Sequence, residues 1–247
     1  MTKFSVNLNK IALLRNSRGR NTPDVAAFAR RCLSLGVHGV TVHPRPDERH
    51  TRTTDVAELA RVVREFRGAE FNVEGNPTER FVALVLEAKP DQVTLVPDAE
   101  DQLTSDHGWD ALRDASVLSK VVSRFKAAGI RTSLFMDPDP RQIEAVAATG
   151  ADRIELYTES FANAYGSSAE STVLAAFEGA ARAAQAHQLG VNAGHDLSLD
   201  NLRAFLARVP GVLEVSIGHA VICEALELGL ETTLKRYLDI VHSAPPQ

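Results

Sequence analysis

Eight apolar runs recur along the chain, at 4–9, 37–43, 71–74, 92–97, 131–137, 153–158, 191–195 and 215–219, and most finish on a polar or ionisable residue. They are short and rich in Val, Ile, Leu and Phe, the pattern of strands in a parallel sheet buried on both faces. Helix-like stretches separate most of them. Val56, Leu59, Ala60, Val63 and Phe66 recur at helical spacing and predict one apolar face packed on a sheet. Thr22-Pro23, Asn76-Pro77 and Asp139-Pro140 each place a capping side chain before a proline suited to the first helical position. Asp55 with Glu58, and Asn76 with Glu79, have capping-box spacing. Gly36, Gly129, Gly150 and Gly190 are expected to close a helix in the left-handed conformation before the next strand. The Ala-rich run 175–186 reads as a tightly packed helix.

Eight βα repeats in about 250 residues predict an α/β fold, a single TIM (β/α)8 barrel. We expect one domain over 1–247, with extra loop and helix elements on the active-site face. Two connections are longer than a minimal barrel needs, 98–110 and 159–168, and both follow strands. Long loops on that face are often lids or binding elements.

Composition narrows the partners. The chain has 247 residues, 44% hydrophobic and 24% charged, with a net charge of −5. That balance is ordinary for a globular protein and argues against a nucleic-acid or anionic-membrane partner. No apolar run approaches the roughly 20 residues of a membrane helix, and no signal segment precedes the first strand, so a cytoplasmic location is expected. Cys32 and Cys223 both fall in helix-like apolar patterns and are expected to be small buried hydrophobes.

Active sites of this fold sit at the C-terminal strand ends, which proposes His43, Glu74, Asp137, His195 and His219. The densest segment is Thr41-Val42-His43-Pro44-Arg45-Pro46-Asp47-Glu48-Arg49-His50. Prolines flank Arg45 and stiffen its backbone, and a guanidinium fork grips a phosphate by two hydrogen bonds; the alternative is a solvated loop with internal ion pairs. The mixture Leu14-Arg15-Asn16-Ser17-Arg18-Gly19-Arg20 can surround an anion with guanidinium and N–H donors, or be a solvated basic loop. Glu74, sheltered at a barrel mouth, would have a raised pKa suited to acid–base work, or form a salt bridge to a neighbouring strand. Glu155 is expected to point into the barrel and to need a partner, with support of a catalytic histidine as one role. Two neighbouring strands end Gly194-His195 and Gly218-His219, where this fold usually binds phosphate at a helix N-terminus. His38, His107, His187 and His242 read as ordinary.

Seven of these segments, in order, resemble the pyridoxine 5′-phosphate synthase family, barrel enzymes of the deoxyxylulose-dependent vitamin B6 pathway. They are Leu14-Arg15-Asn16-Ser17-Arg18-Gly19, Thr41-Val42-His43-Pro44-Arg45 with His50, Asn72-Val73-Glu74, Leu95-Val96-Pro97, Ser133-Leu134-Phe135, Val191-Asn192-Ala193-Gly194-His195 and Ile217-Gly218-His219-Ala220. The resemblance implies condensation of 1-deoxy-D-xylulose 5-phosphate with 3-amino-2-oxopropyl phosphate. The products are pyridoxine 5′-phosphate, phosphate and water. It implies His43 as proton acceptor, Glu74 as a second acid/base and His195 as proton donor. Arg45, His50 and Thr104 match positions holding the deoxyxylulose phosphate. Asn7, Arg18, Gly218 and His219 match positions holding the amino-ketone phosphate. It also implies a homo-octamer. Such chemistry is a series of proton transfers and leaving-group steps, so acid/base groups suffice without a metal or organic cofactor.

Two places depart from the family pattern. Asn9-Lys10 replaces the usual Asp-His at the deoxyxylulose phosphate, and Asp196 replaces a glycine near the other phosphate, which a carboxylate would repel unless it turns away. Two rival readings stand beside the synthase. A metal-dependent isomerase or aldolase would use His43, Glu74, Glu155 and His195 as ligands. A binding relative would keep the barrel without turnover.

Overall fold

The computed structural model describes residues 1–98, 102 and 105–243. Eight strands, β1 (Lys3–Asn7), β2 (Gly39–Val42), β3 (Glu70–Gly75), β4 (Gln92–Leu95), β5 (Arg131–Met136), β6 (Arg153–Tyr157), β7 (Gly190–Gly194) and β8 (Val212–Ile217), pair in parallel in chain order. β8 closes on β1, matching Phe4 to Val215 and Val6 to Ile217, so no sheet edge is left. The helices are α1 (Asn9–Asn16), α2 (Val25–Ser34), α3 (Thr53–Arg64), α4 (Glu79–Ala88), α5 (Ala111–Ala127), α6 (Pro140–Val146), α7 (Glu159–Ala164), α8 (Glu170–Ala186), α9 (Leu202–Arg208), α10 (His219–Leu228) and α11 (Leu230–Ser243). The predicted (β/α)8 barrel is therefore the fold. Helices α1, α7 and α10 are additions directly after β1, β6 and β8, at the C-terminal rim. Among the described residues no helix is long and apolar enough to cross a membrane.

The strands differ from the expectation of continuous apolar runs, because alternate positions face opposite ways. Phe4, Val6, Val40, Val42, Phe71, Val73, Val93 and Leu95 pack outward in one buried cluster with the helices. Phe4, for example, stacks on Tyr237 of α11 at 4.9 Å. The intervening positions meet inside the barrel and are polar. Ser5 bonds Thr41 at 2.8 Å, and Asn192 of β7 donates to Gln92 of β4 at 3.3 Å. Lower down, Glu70 pairs with Lys3 and Arg131, and Arg153 lies 3.5 Å from Glu214. Barrels of this kind usually fill that space with branched aliphatics. Here, among the described residues, the upper interior turns apolar on one side, where Val96, Phe135 and Tyr157 form a small separate cluster.

Several local expectations shift. Asp139-Pro140 caps as predicted, Asp139 accepting the Arg141 N–H. Helix α2 instead starts on Asp24 and α4 on Thr78, each side chain accepting an N–H of the first turn, so Thr22 and Asn76 are not caps. In α3 the box lies one turn earlier than read: Asp55 is the third helical residue and its carboxylate accepts the Arg52 N–H at 2.8 Å. Gly36, Gly129 and Gly150 have positive φ, but before β7 the left-handed residue is Gln188 rather than Gly190. Cys32 is buried, whereas Cys223 is exposed on α10. The segment read as a loop at 159–168 begins with α7, and 170–186 is one helix, as the alanines predicted.

Candidate active site

Short polar tethers at the strand ends fix the site's geometry. Asn7, the last residue of β1, donates from Nδ2 to Glu74 Oε2 at 3.3 Å, and its Oδ1 accepts the Asn9 N–H at 3.0 Å. The Asn9 side chain then accepts twice, from the His43 N–H at 2.9 Å and the Thr51 hydroxyl at 3.0 Å. One line of hydrogen bonds thus joins Glu74, Asn7, Asn9 and His43. The departure at Asn9 is tolerated structurally, since its amide oxygen supplies the acceptor these donors need. Lys10 is exposed on α1.

Two of the three groups expected to move protons are poised oppositely. His43 is 6% exposed. Burial first, then the neighbouring Arg45, His50, Arg49 and His195 side chains, hold its imidazole well below 6.5, so it is neutral and able to accept a proton. Glu74 opens partly to the barrel mouth, yet its carboxyl lies deep among Glu155, Asp98 and Glu214. Burial first, then those like charges, raise it well above the usual carboxylate range, against the Asn7 bond. No salt bridge to Glu74 exists among the described residues; the expected raised pKa is what the surroundings produce.

His195 follows β7 in a left-handed backbone conformation, φ 90°. A non-glycine residue there stores roughly 1–3 kcal/mol and is held by its surroundings. Thr158 is the holder: its hydroxyl donates to the Gly194 carbonyl at 2.7 Å and accepts the Asp196 N–H at 3.2 Å. The Asp196 carboxylate lies 2.6 Å from His195 Nδ1, and Tyr157 meets the ring edge-on at 5.4 Å. Asp196 therefore turns toward the histidine, which fixes the ring and the nitrogen bearing the hydrogen.

On the opposite strand pair, the residues expected to hold phosphate are partly engaged. Arg45 is 4% exposed, and its guanidinium pairs with Asp98 and the Gln102 carbonyl. His50 sits beside His43, ring centroids 6.2 Å apart. A cavity of about 200 Å³ opens against His43, Arg45, Pro46, Asn76, Phe81 and Asp98. Gly218 caps α10 and His219 is its first residue, exposed, with its Nε2 3.5 Å from Cys223 Sγ. A Cβ on Gly218 would lie 2.9 Å from Asn7 Cβ, so only glycine lets β8 end this close to β1.

The structure does not join every candidate to this cluster. Arg18 is exposed in the turn after α1 and no contact joins it to the other candidates among the described residues. Thr104 lies outside the described residues. Asp137 is exposed and accepts the Gly108 N–H at 3.1 Å, tying down the segment before α5 rather than joining the site. Arg15 and Asn16 do not line an anion site: Arg15 is buried in a bidentate pair with Asp55 at 2.6 and 2.8 Å. Among the described residues Glu155 bonds no histidine; the Thr94 hydroxyl lies 3.2 Å from it. Sequence reasoning missed Thr158 and Thr51, whose hydroxyls carry no motif. Among the described residues no three His, Cys, Asp or Glu side chains are grouped to hold a metal ion.

The chain is similar to known proteins over nearly its whole length. The chain is 54% identical over 242 residues to pyridoxine 5′-phosphate synthase of Porphyromonas gingivalis, covering 97% of this chain and 98% of that one. It is 52% identical over 250 residues to the enzyme of the same name from Xanthomonas oryzae pv. oryzae (strain PXO99A), covering 98% of both. Among solved structures, 3-keto-L-gulonate-6-phosphate decarboxylase from Vibrio cholerae superposes with TM-score 0.68 at 10% identity, covering 99% of each chain, and shares the fold. Thiamine phosphate pyrophosphorylase from Pyrococcus furiosus does so with TM-score 0.64 at 14% identity, covering 99% of this chain and 97% of that one. A family model described as pyridoxal phosphate biosynthesis protein PdxJ matches residues 4–243, and the chain belongs to that family.

Proposed function

We propose that this chain condenses 1-deoxy-D-xylulose 5-phosphate with 3-amino-2-oxopropyl phosphate to give pyridoxine 5′-phosphate, phosphate and water. The observation that carries this is the 52–54% identity, over nearly the whole chain, to proteins named pyridoxine 5′-phosphate synthase. The strand-end geometry supports it. The amine of one substrate attacks the ketone of the other, and water leaves as the imine forms. Enolisation, loss of one phosphate and a ring-closing dehydration follow, each needing a proton placed or removed. Neutral His43 takes the first proton from carbon or nitrogen. Glu74, whose carboxyl holds its proton more tightly than an ordinary carboxylate, returns or removes protons across the ring. His195, oriented by Asp196, donates to the leaving oxygen.

Arg45 and His50 hold the ketose phosphate, with Asp98 giving up Arg45 as the phosphate arrives. Asn7, Arg18, Gly218 and His219 hold the other phosphate, helped by the free N–H groups at the start of α10. Lys10 and Asn9 flank the first site, and Asp196 the second; Thr104 belongs with the first by resemblance. The protein works in the cytoplasm as one barrel domain per chain and as a homo-oligomer, an octamer by resemblance. Leu14 on α1 and Leu226 on α10, 54% and 82% exposed, offer apolar surface for such contacts. The testing experiment is turnover by His43→Ala, Glu74→Gln and His195→Ala. Each is expected to lose at least about 100-fold in kcat while staying folded. Three fully active variants would contradict the assignment.

A further inference from the structure

Arg15 and Asn16 lie in the Leu14–Gly19 motif, yet the proposed chemistry uses neither residue. Their contacts point elsewhere. Asn16 Nδ2 lies 3.1, 3.1 and 2.7 Å from the carbonyl oxygens of Glu48, Arg49 and His50. Three successive carbonyls face one amide only if the chain curls sharply, and Glu48 supplies the curl with φ 52°. The orientation of the amide is set from its other end: Arg15 Nε donates to Asn16 Oδ1 at 3.1 Å, which turns the NH2 toward the carbonyls. Arg15 also donates from Nη2 to the His50 carbonyl at 3.1 Å while its fork grips Asp55 at the start of α3.

Asn9 lies seven residues earlier, two turns up the same face of α1. It holds the His43 N–H and the Thr51 hydroxyl. A single helix face therefore grips both ends of the segment from His43 to Thr51. Between these grips the His50 ring is set as well: its Nδ1 accepts the Thr51 N–H at 2.9 Å, which leaves the hydrogen on Nε2, the donor an anion needs.

We infer that α1 is a bracket, in which Asn16 and Arg15 act as positioning residues that hold the 48–50 backbone and so fix the pose of His50 beside His43. The consequence for substrate rests on the function proposed above: losing the bracket weakens the ketose phosphate and spares the amino-ketone phosphate. The consequence for His50 itself does not rest on it. Burial, then Arg45, Arg49 and Lys10, with Asp47 opposing, push the His50 imidazole down to about 4. His43 is the other titratable group facing it. A released loop would expose the ring and let it titrate closer to 6.5.

The variant to make is Asn16→Ala rather than a change at Arg15, because removing a guanidinium that is 2% exposed threatens the fold itself. Ser17→Ala is the control, since the Ser17 hydroxyl donates to the Leu14 carbonyl one turn back and not to the 48–50 backbone. We expect Asn16→Ala to raise KM for deoxyxylulose phosphate about tenfold, the worth of one or two hydrogen bonds, with the other KM within about twofold. An NMR titration with isotope-labelled histidine should show the His50 midpoint rising toward 6.5, and Ser17→Ala should do neither. Equal changes in both KM values, or the same behaviour in Ser17→Ala, would reduce the bracket to general stability and overturn the inference. An unmoved His50 titration would overturn it too. If the parent protein turns over neither substrate, the functional proposal fails, and the His50 titration still decides the bracket.

Discussion

Replacing Glu155 by glutamine should stabilise this protein at neutral pH, an unusual outcome for a polar change inside a barrel. The Glu155 side chain is buried, and the Thr94 hydroxyl lies 3.2 Å from both its Oε2 and Asn72 Oδ1. One hydroxyl carries one proton, so a protonated Glu155 completes the chain by donating to Thr94, which donates to Asn72. Burial, with Glu214 beside it, raises the Glu155 pKa from 4.5 to about 8, against the Thr94 bond. A carboxyl raised in this way binds more protons folded than unfolded between those two values. Its contribution to stability is fully present below about pH 4.5 and is lost as pH rises toward 8. At about 1.4 kcal/mol for each tenfold change in the ionisation equilibrium, roughly 3 kcal/mol is lost by pH 7. Glutamine has the same shape, cannot ionise, and can still bond Thr94. Urea unfolding of both proteins, at matched concentration from about pH 5 to 8, should give curves that meet at the acid end. They should separate by roughly 3 kcal/mol near pH 7, with the variant more stable. Parallel pH profiles would refute the reasoning.

Other substitutions probe the strand ends. Gly218→Ala puts a Cβ 2.9 Å from Asn7 Cβ and 3.1 Å from its carbonyl oxygen, so Asn7 must move off Glu74. Thermal unfolding should register about 1–3 kcal/mol of overpacking, with kcat falling as well, and an unchanged melting temperature would count against the close approach. Asp196→Ala removes the acceptor 2.6 Å from His195 Nδ1. Steady-state kinetics should show kcat down about 10- to 100-fold with both KM values nearly unchanged. A kcat equal to the parent's would mean that Asp196 does not orient the histidine.

The strand ends were legible in the sequence because a barrel fixes where chemistry sits. His43, Glu74 and His195 emerge at one rim from segments far apart in the chain, and a periodic pattern with ionisable ends is enough to place them. The polar barrel interior was less legible. Short strands such as 92–95 alternate Gln92 and Thr94 with Val93 and Leu95, and that alternation is hidden when the run is read only as apolar. Side-chain partners were the least legible. Arg15 and Asp55 are forty positions apart, and nothing local distinguishes a guanidinium locked in a buried pair from one waiting for an anion. Asp196 shows the same limit: a carboxylate beside an expected phosphate looked repulsive until its rotamer placed it on His195.

The most direct test of the central claim is a turnover assay of the purified protein with 1-deoxy-D-xylulose 5-phosphate and 3-amino-2-oxopropyl phosphate, following product by mass and phosphate by release. The account predicts pyridoxine 5′-phosphate with one inorganic phosphate freed for each molecule formed. A folded protein that binds both substrates yet forms no product would contradict it.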